Sequence, residues 1–374
     1  MPVVIGALKE VAPDESRVAL VPEVAGKLAA LGARLMIERG AGEAAQFPDA
    51  SFKNTELAPT AQALLQAADV LLKVQPPTPQ EIAGLRKGAV VIGFMQAHQR
   101  ADAVRALRDR GITSFAMELV PRISRAQSMD ALSSQAAAAG YKAVLIAAST
   151  LDKFFPMLTT AAGTIRPAQV LIVGAGVAGL QAIATARRLG AVVEAYDVRS
   201  ATRDQVKSLG AKFVETGVSA EGTGGYAREL TEDEKRKQQE VLDQRIAAAD
   251  VVITTAAVPG RAAPRIIARA VVERMKPGAV IVDIAAESGG NCELTRAGET
   301  VLHHGVKIVG PVNLPSQLAY HASEMYARNL FNFLKPALDK GELRIDWNDE
   351  VFAQSCLTHD GTIRHEATRK MVES

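Results

Sequence analysis

Apolar residues in this chain come in short runs, and the runs alternate between two periods. Residues 3–7 form a continuous apolar run of strand length. Pro22 opens a helix-period stretch closed by Leu31-Gly32, and 33–38 reads as the next strand. A helix near 60–68 leads to a strand at 69–74, stopped by Pro76-Pro77. Helix 79–86, strand 89–94, helix 100–110 and strand 112–118 follow. Such alternation predicts a parallel sheet covered on both faces. Between 118 and 134 it stops in a polar stretch, and 135–151 reads as an Ala-rich connecting helix. Strands then resume at 170–173, 191–196, 211–214, 250–254, 279–284 and 306–309. Helices are expected after the turn at 174–179, at 202–209, at 231–249 and from Pro264. The helix at about 321–338 is expected to return to the first domain, and the polar tail 340–374 carries weak hairpin signals. The fold class is therefore α/β, with two doubly wound parallel-sheet domains and a cleft between them. Their expected limits are 1–137 plus 321–374, and 138–320.

One junction carries chemistry. The apolar strand at 170–173 runs into Gly174, Gly176 and Gly179, in G-x-G-x-x-G spacing, with Val177 inside the turn. The first glycine permits the turn, the second lets a pyrophosphate approach the backbone, and the third lets helix and strand pack closely. Free N–H groups at the helix start and its dipole suit phosphate. The next strand ends in Asp197, 23 residues after Gly174, where the ribose-binding acid of a dinucleotide fingerprint falls. The second domain thus reads as Rossmann-like, and the first, which lacks the fingerprint, does not hold the main dinucleotide site. Leu31-Gly-Ala33 and Leu189-Gly-Ala191, each closing a helix ahead of a strand that ends in an acid, give a weak internal echo.

Composition narrows the classes. Net charge is +2, from 43 basic and 41 acidic residues, and aromatics are 4%, so there is neither a basic footprint nor a stacking platform for nucleic acid. Two cysteines are too few for a disulfide framework and fit a reducing compartment. No signal or transit peptide is expected, and no Cys/His cluster has metal-ligand spacing, so no metal site is expected. Residues 168–186 are 19 positions without a charge, long enough to suggest a membrane span. The three glycines and the flanking βαβ signals instead give a soluble chain. Residues 215–225 hold four glycines and no apolar period, which reads as a mobile loop.

Several stretches together resemble one family. Lys9-Glu10, Glu15-Ser-Arg-Val-Ala-Leu-Val-Pro22, Gly40-Ala-Gly-Glu43, Leu71-Leu-Lys-Val-Gln75, the glycine fingerprint and Glu287-Ser-Gly-Gly-Asn291 are shared by alanine dehydrogenase and by the NAD(H)-binding component of proton-translocating NAD(P) transhydrogenase. Pro121-Arg-Ile-Ser-Arg-Ala-Gln-Ser-Met-Asp-Ala-Leu-Ser-Ser-Gln135 and Gly224-Gly-Tyr-Ala227 resemble the transhydrogenase side. The resemblance implies that Arg122, Gln127, Asp130 and Ser133 meet the nicotinamide end of NAD(H), and that Asp197, Val198 and Arg199 lie at the adenosine ribose. It also implies that Gly225, Gln238 and Ala257 flank the cofactor and that Tyr226 closes over it. The implied partners are a separate NADP(H)-binding domain and a membrane-spanning subunit. A homodimer is implied as well, peripheral on the cytoplasmic face of the inner membrane through those partners.

The residues themselves agree with this. An arginine and a carboxylate eight apart, Arg122 and Asp130, can pair and shape a loop. Gln127 offers the donor and acceptor that a nicotinamide amide needs. Hydride transfer between two nicotinamides moves no proton, so catalysis is largely positioning. Three alternatives stay open: a solvated linker at 121–135, a non-catalytic NAD-sensing module, and an NAD-dependent amino-acid dehydrogenase. In that last relative the positions matching Gln96 and Glu287 are a catalytic His and an Asp, whereas Arg17 and Lys73 match the residues that hold its substrate carboxylate. His98 is expected on the opposite face of a strand from Gln96.

Overall fold

The computed structural model describes residues 2–217, 231–257 and 261–373. It divides into two compact units, one of Met1–Gln135 with Pro315–Ser374 and the other of Ala136–Leu314. Among the described residues, the first unit builds an eight-stranded sheet. Its order is Thr362–Ile363, Cys356–His359, Thr113–Ala116, Val90–Gly93, Val70–Leu72, Val4–Ala7, Arg34–Glu38 and Thr55–Ala58. The strands from Thr113–Ala116 through Thr55–Ala58 are parallel, and the two C-terminal ones add antiparallel. The central strands are buried on both faces, which is why they read as unbroken apolar runs. Two core clusters fill the two faces, one containing Ile5, Val70 and Ile92 and the other Val4, Leu71 and Val91.

The second unit's sheet has seven strands among the described residues. Its order is Lys212–Phe213, Val192–Tyr196, Gln169–Val173, Val251–Thr254, Val280–Asp283, Val306–Val309 and Thr300–His303. The first six are parallel, in the sequence 3-2-1-4-5-6 of a doubly wound dinucleotide fold. The seventh, Thr300–His303, is an antiparallel edge strand.

Differences from the expected elements have local causes. The connecting helix starts earlier, as Ala131–Thr150. Past Pro264 there is only one helical turn, Arg269–Val272. Backbone donors just before it are taken elsewhere: Ala263 N bonds to Ser288 O, and the N–H groups of Ile266 and Ile267 bond to Asn291 O. Gln96 and His98 lie in a turn beyond Val90–Gly93, with Gln96 at φ +46, so strand alternation does not relate them. No helix among the described residues is long and apolar enough to cross a membrane. The uncharged run is a buried strand, a turn and a helix.

Candidate functional site

In the second unit the strand Gln169–Val173 is flanked by Val192–Tyr196 and Val251–Thr254. Gly174 turns the chain at its end with φ +100. A Cβ there would sit 2.4 Å from Thr255 Oγ1, and one on Gly179 would fall 1.9 Å from the Gly174 carbonyl oxygen. The helix Val177–Arg188 can begin this close to the strand only because both positions lack a side chain. Gly176 is different: its missing Cβ faces open space. It is the N-cap of a helix that no side chain caps, so the first-turn N–H groups are left for an outside acceptor. Val177 is 43% exposed beside them. An open cradle at a helix start is what an approaching pyrophosphate needs.

Asp197 closes the other side of this turn. Its Oδ2 accepts from Ala175 N at 2.7 Å and from Arg199 Nη2 at 2.9 Å. Its Oδ1 accepts from the Arg199 backbone N at 2.8 Å and Nε at 2.9 Å. Burial pushes the carboxyl upward, but these bonds and the Arg199 charge outweigh it and hold Asp197 below the usual carboxylate range. The Arg199 side chain is 60% exposed, so it can leave Asp197 without disturbing the core. Val198, between them, is 68% exposed.

Residues that sequence reasoning did not single out hold this end of the sheet. Thr255 Oγ1 donates to the carbonyls of Val173 and Gly174 at 3.3 and 3.2 Å. Asn291 brackets Ala256, accepting from its N–H at 3.1 Å and donating to its carbonyl at 2.8 Å. That fixes the chain just before the exposed Ala257. The buried Asp283 carboxylate accepts from Thr254, Ala285, Asn291, Cys292 and Thr295. Asn291 closes the Glu287-Ser-Gly-Gly-Asn291 motif, while Thr255 and Asp283 are strand-end residues with no distinguishing local signal. Gln238 lies half-buried on Glu232–Ala248. Gly225 and Tyr226, with most of the 215–225 loop, lie outside the described residues.

In the first unit the polar stretch forms the short 3₁₀ segment Ser124–Met129, whose Ala126 and Met129 are buried in the core. Asp130 caps the helix that follows: its Oδ1 accepts from Ser133 N at 2.9 Å and its Oδ2 from Ser133 Oγ at 2.6 Å. The expected Arg122–Asp130 pair is therefore not the one formed. The carboxylate meets Ser133, and the arginine of this stretch that pairs is Arg125, bidentate to Asp349 at 3.0 and 2.6 Å. Arg122 and Gln127 are exposed, while Asp130 and Ser133 are half-buried. Asn329 and Asn332 donate to the Ser128 carbonyl at 2.9 and 3.1 Å and hold the stretch from below.

The same unit contains a buried charge cluster. Arg17 is bidentate to Glu15, through Nε at 2.8 Å and Nη2 at 2.6 Å, and its Nη1 donates to Gln135 Oε1 at 2.8 Å. Gln75 Nε2 donates to Glu15 Oε2 at 2.7 Å, and Gln96 Nε2 to Gln75 Oε1 at 3.0 Å. Lys73 Nζ lies 3.0 Å from Glu10 Oε2 and 2.9 Å from Glu81 Oε1. The Lys73–Glu10 contact is an ion pair without hydrogen-bond alignment, because Glu10 Oε2 has no aligned donor. Burial raises the Glu10 carboxyl against the pull of Lys73. For Glu15, burial acts upward too, but the Arg17 hydrogen bonds and charge bring it down to about 2. Both buried cations are thus matched by carboxylates of the chain itself.

Residues 6–139 match the alanine dehydrogenase/PNT N-terminal domain and 143–366 the alanine dehydrogenase/PNT C-terminal domain. The chain is 49% identical over 372 residues to an NAD(P) transhydrogenase subunit alpha of Rhodospirillum rubrum (the first segment of a divided subunit), covering 96% of this chain and 97% of that one. It is 29% identical over 375 residues to alanine dehydrogenase of Mycolicibacterium smegmatis, covering 98% and 96%. The crystal structure of transhydrogenase from Sinorhizobium meliloti superposes with a TM-score of 0.88 at 46% identity, covering 96% of this chain and 99% of that one.

Proposed function

The chain belongs to the alanine dehydrogenase/PNT family, and from that premise we infer that it is an NAD(P) transhydrogenase alpha component. It takes NADH and passes hydride to NADP⁺ held by a separate domain. The observation that carries the choice within the family is the buried pairing of Arg17 with Glu15 and of Lys73 with Glu10 and Glu81. An amino-acid dehydrogenase needs those cations for a substrate carboxylate, and here internal carboxylates occupy them. Gln96, where that relative carries a His, has no proton to exchange near neutral pH. The higher identity to the transhydrogenase relative supports the same side.

NADH, when bound, supplies the hydride; the chain's residues supply binding and orientation. The N–H groups at the start of Val177–Arg188 hold the pyrophosphate, and the open space at Gly176 admits it. Asp197 takes the adenosine ribose hydroxyls as Arg199 turns outward. Gln127 holds the carboxamide of the nicotinamide, and Asp130 with Ser133 fixes the segment that carries Gln127. Gly225, Tyr226, Gln238 and Ala257 complete the cofactor contacts in this reading. A membrane subunit and an NADP(H)-binding domain act as partners, and the chain works as a homodimer at the cytoplasmic face through them.

The test is to mix the full chain with an NADP(H)-binding transhydrogenase domain and follow hydride exchange between NADH and an NADP⁺ analogue. Exchange that needs both proteins is expected, with no turnover of alanine, or of pyruvate with ammonia. Amino-acid turnover without exchange overturns the reading in favour of the dehydrogenase.

A further inference from the structure

We propose that Glu273, His303 and His304 form a surface site for a divalent transition-metal ion such as zinc, nickel or cobalt. One ligand atom from each lies within 4.8 Å of the other two. The ligands lie far apart in sequence: His303 Nε2 is 2.9 Å from Glu273 Oε1 across a separation of 30 residues. That is why spacing along the chain gives no metal signature.

The backbone brings the two imidazoles together. Successive strand residues point to opposite faces, so His303 and His304 would diverge in a continuing strand. The hairpin instead reverses at His304 and Gly305, with φ +48 and +76. The two rings then lie 4.8 Å apart at 41°. The turn is fixed to the segment that carries the carboxylate. Gly278 N donates to Gly305 O at 2.8 Å, and the absent Gly305 Cβ stands 3.3 Å from Pro277. Glu273 is the C-cap of Arg269–Val272 and reaches the hairpin from there. Two imidazoles with one carboxylate suit zinc, nickel, cobalt or copper, and not the all-oxygen sets that magnesium and calcium prefer. Glu273 and His304 are exposed and His303 is half-buried, so the side chains can close to metal-ligand distances of roughly 2.0–2.2 Å while water fills the remaining position. The bound ion would tie the edge hairpin to the helical turn at its side.

The test uses the full chain, free of affinity tags and treated with chelator. Zinc titration by calorimetry and cobalt titration by visible absorption should each show one saturable equivalent, and zinc should raise the melting temperature. His303→Ala and His304→Ala should each weaken zinc binding by tenfold or more. His304→Gly is the control for folding, since glycine accepts the positive φ without strain; it should retain wild-type stability without metal and lose the zinc-dependent rise. Saturable binding that survives the His303→Ala/His304→Ala double substitution, or no saturable binding by the unaltered chain, overturns the proposal.

Discussion

Asp197 accepts four hydrogen bonds, three from Arg199 and one from the N–H of Ala175. A ribose diol can therefore reach it only by replacing Arg199, and a 2′-phosphate brought there would set like charges together. NADH is expected to bind at least tenfold more tightly than NADPH by fluorescence titration, and Asp197→Ala to weaken NADH and narrow that gap. Equal affinities in the unaltered chain would refute the assignment. Gln127 allows a cleaner test than its neighbours, because it is exposed and outside the helix cap. Gln127→Asn should slow hydride exchange tenfold or more, about 1.4 kcal/mol, while NADH affinity changes by less than about threefold. An unchanged exchange rate removes the positioning role. Asp130→Ala should slow exchange too, and should cost about 1 kcal/mol of stability through the lost cap. A lower melting temperature than that of Gln127→Asn would register this cost.

Among the elements, the helix Ala131–Thr150 is built of small residues for a reason its own period does not reveal. A Cβ on Gly140 would lie 2.1 Å from the carbonyl oxygen of Ala178, in the first turn of the glycine-turn helix. The two helices touch backbone to side there, so Gly140→Ala must separate them. Overpacking of this kind costs roughly 1–3 kcal/mol, and it shifts the N–H groups proposed to hold the pyrophosphate. Gly140→Ala should lower both the melting temperature and NADH affinity. A variant that only gained helix propensity would instead be stabilised, so the sign of the melting shift decides. Elements with strong local codes agree with the sequence reading. Thr78 and Thr231 each form a full capping box with Glu81 and Glu234, and Pro22 starts its helix. The expected helix after Pro264 failed because non-local carbonyls of Ser288 and Asn291 take its backbone donors. The edge strand Thr300–His303 alternates exposed and half-buried residues, too weak an apolar pattern to stand out.

For the whole molecule, acid stability follows from how the buried carboxylates are held. Glu15 titrates near 2 in the folded chain, below its ordinary value of 4.5. Its contribution is therefore complete above about pH 4.5 and is lost as pH falls toward 2, on the order of 3 kcal/mol in all. Glu10 and Glu118, raised by burial, have the opposite sign: they favour the protonated fold, and that advantage fades as pH rises. Glu15→Gln should melt below the unaltered chain at neutral pH, with the difference closing between pH 4.5 and 2. A difference independent of pH would mean that Glu15 acts through packing alone. The sequence by itself determined the alternation of strands and helices, the glycine turn with its acid at Asp197, and the polar stretch around Gln127. Each of these is a local pattern, set by side-chain period, turn chemistry or spacing within one βαβ unit. Only the tertiary structure decided that Asp130 bonds Ser133 and not Arg122, that Arg17 and Lys73 meet the chain's own carboxylates, and that Thr255 and Asn291 brace the end of the sheet. It also decided that two neighbouring histidines share a side with Glu273. Those outcomes depend on which of several possible partners arrives within about 3 Å, and spacing along a chain carries no such distance.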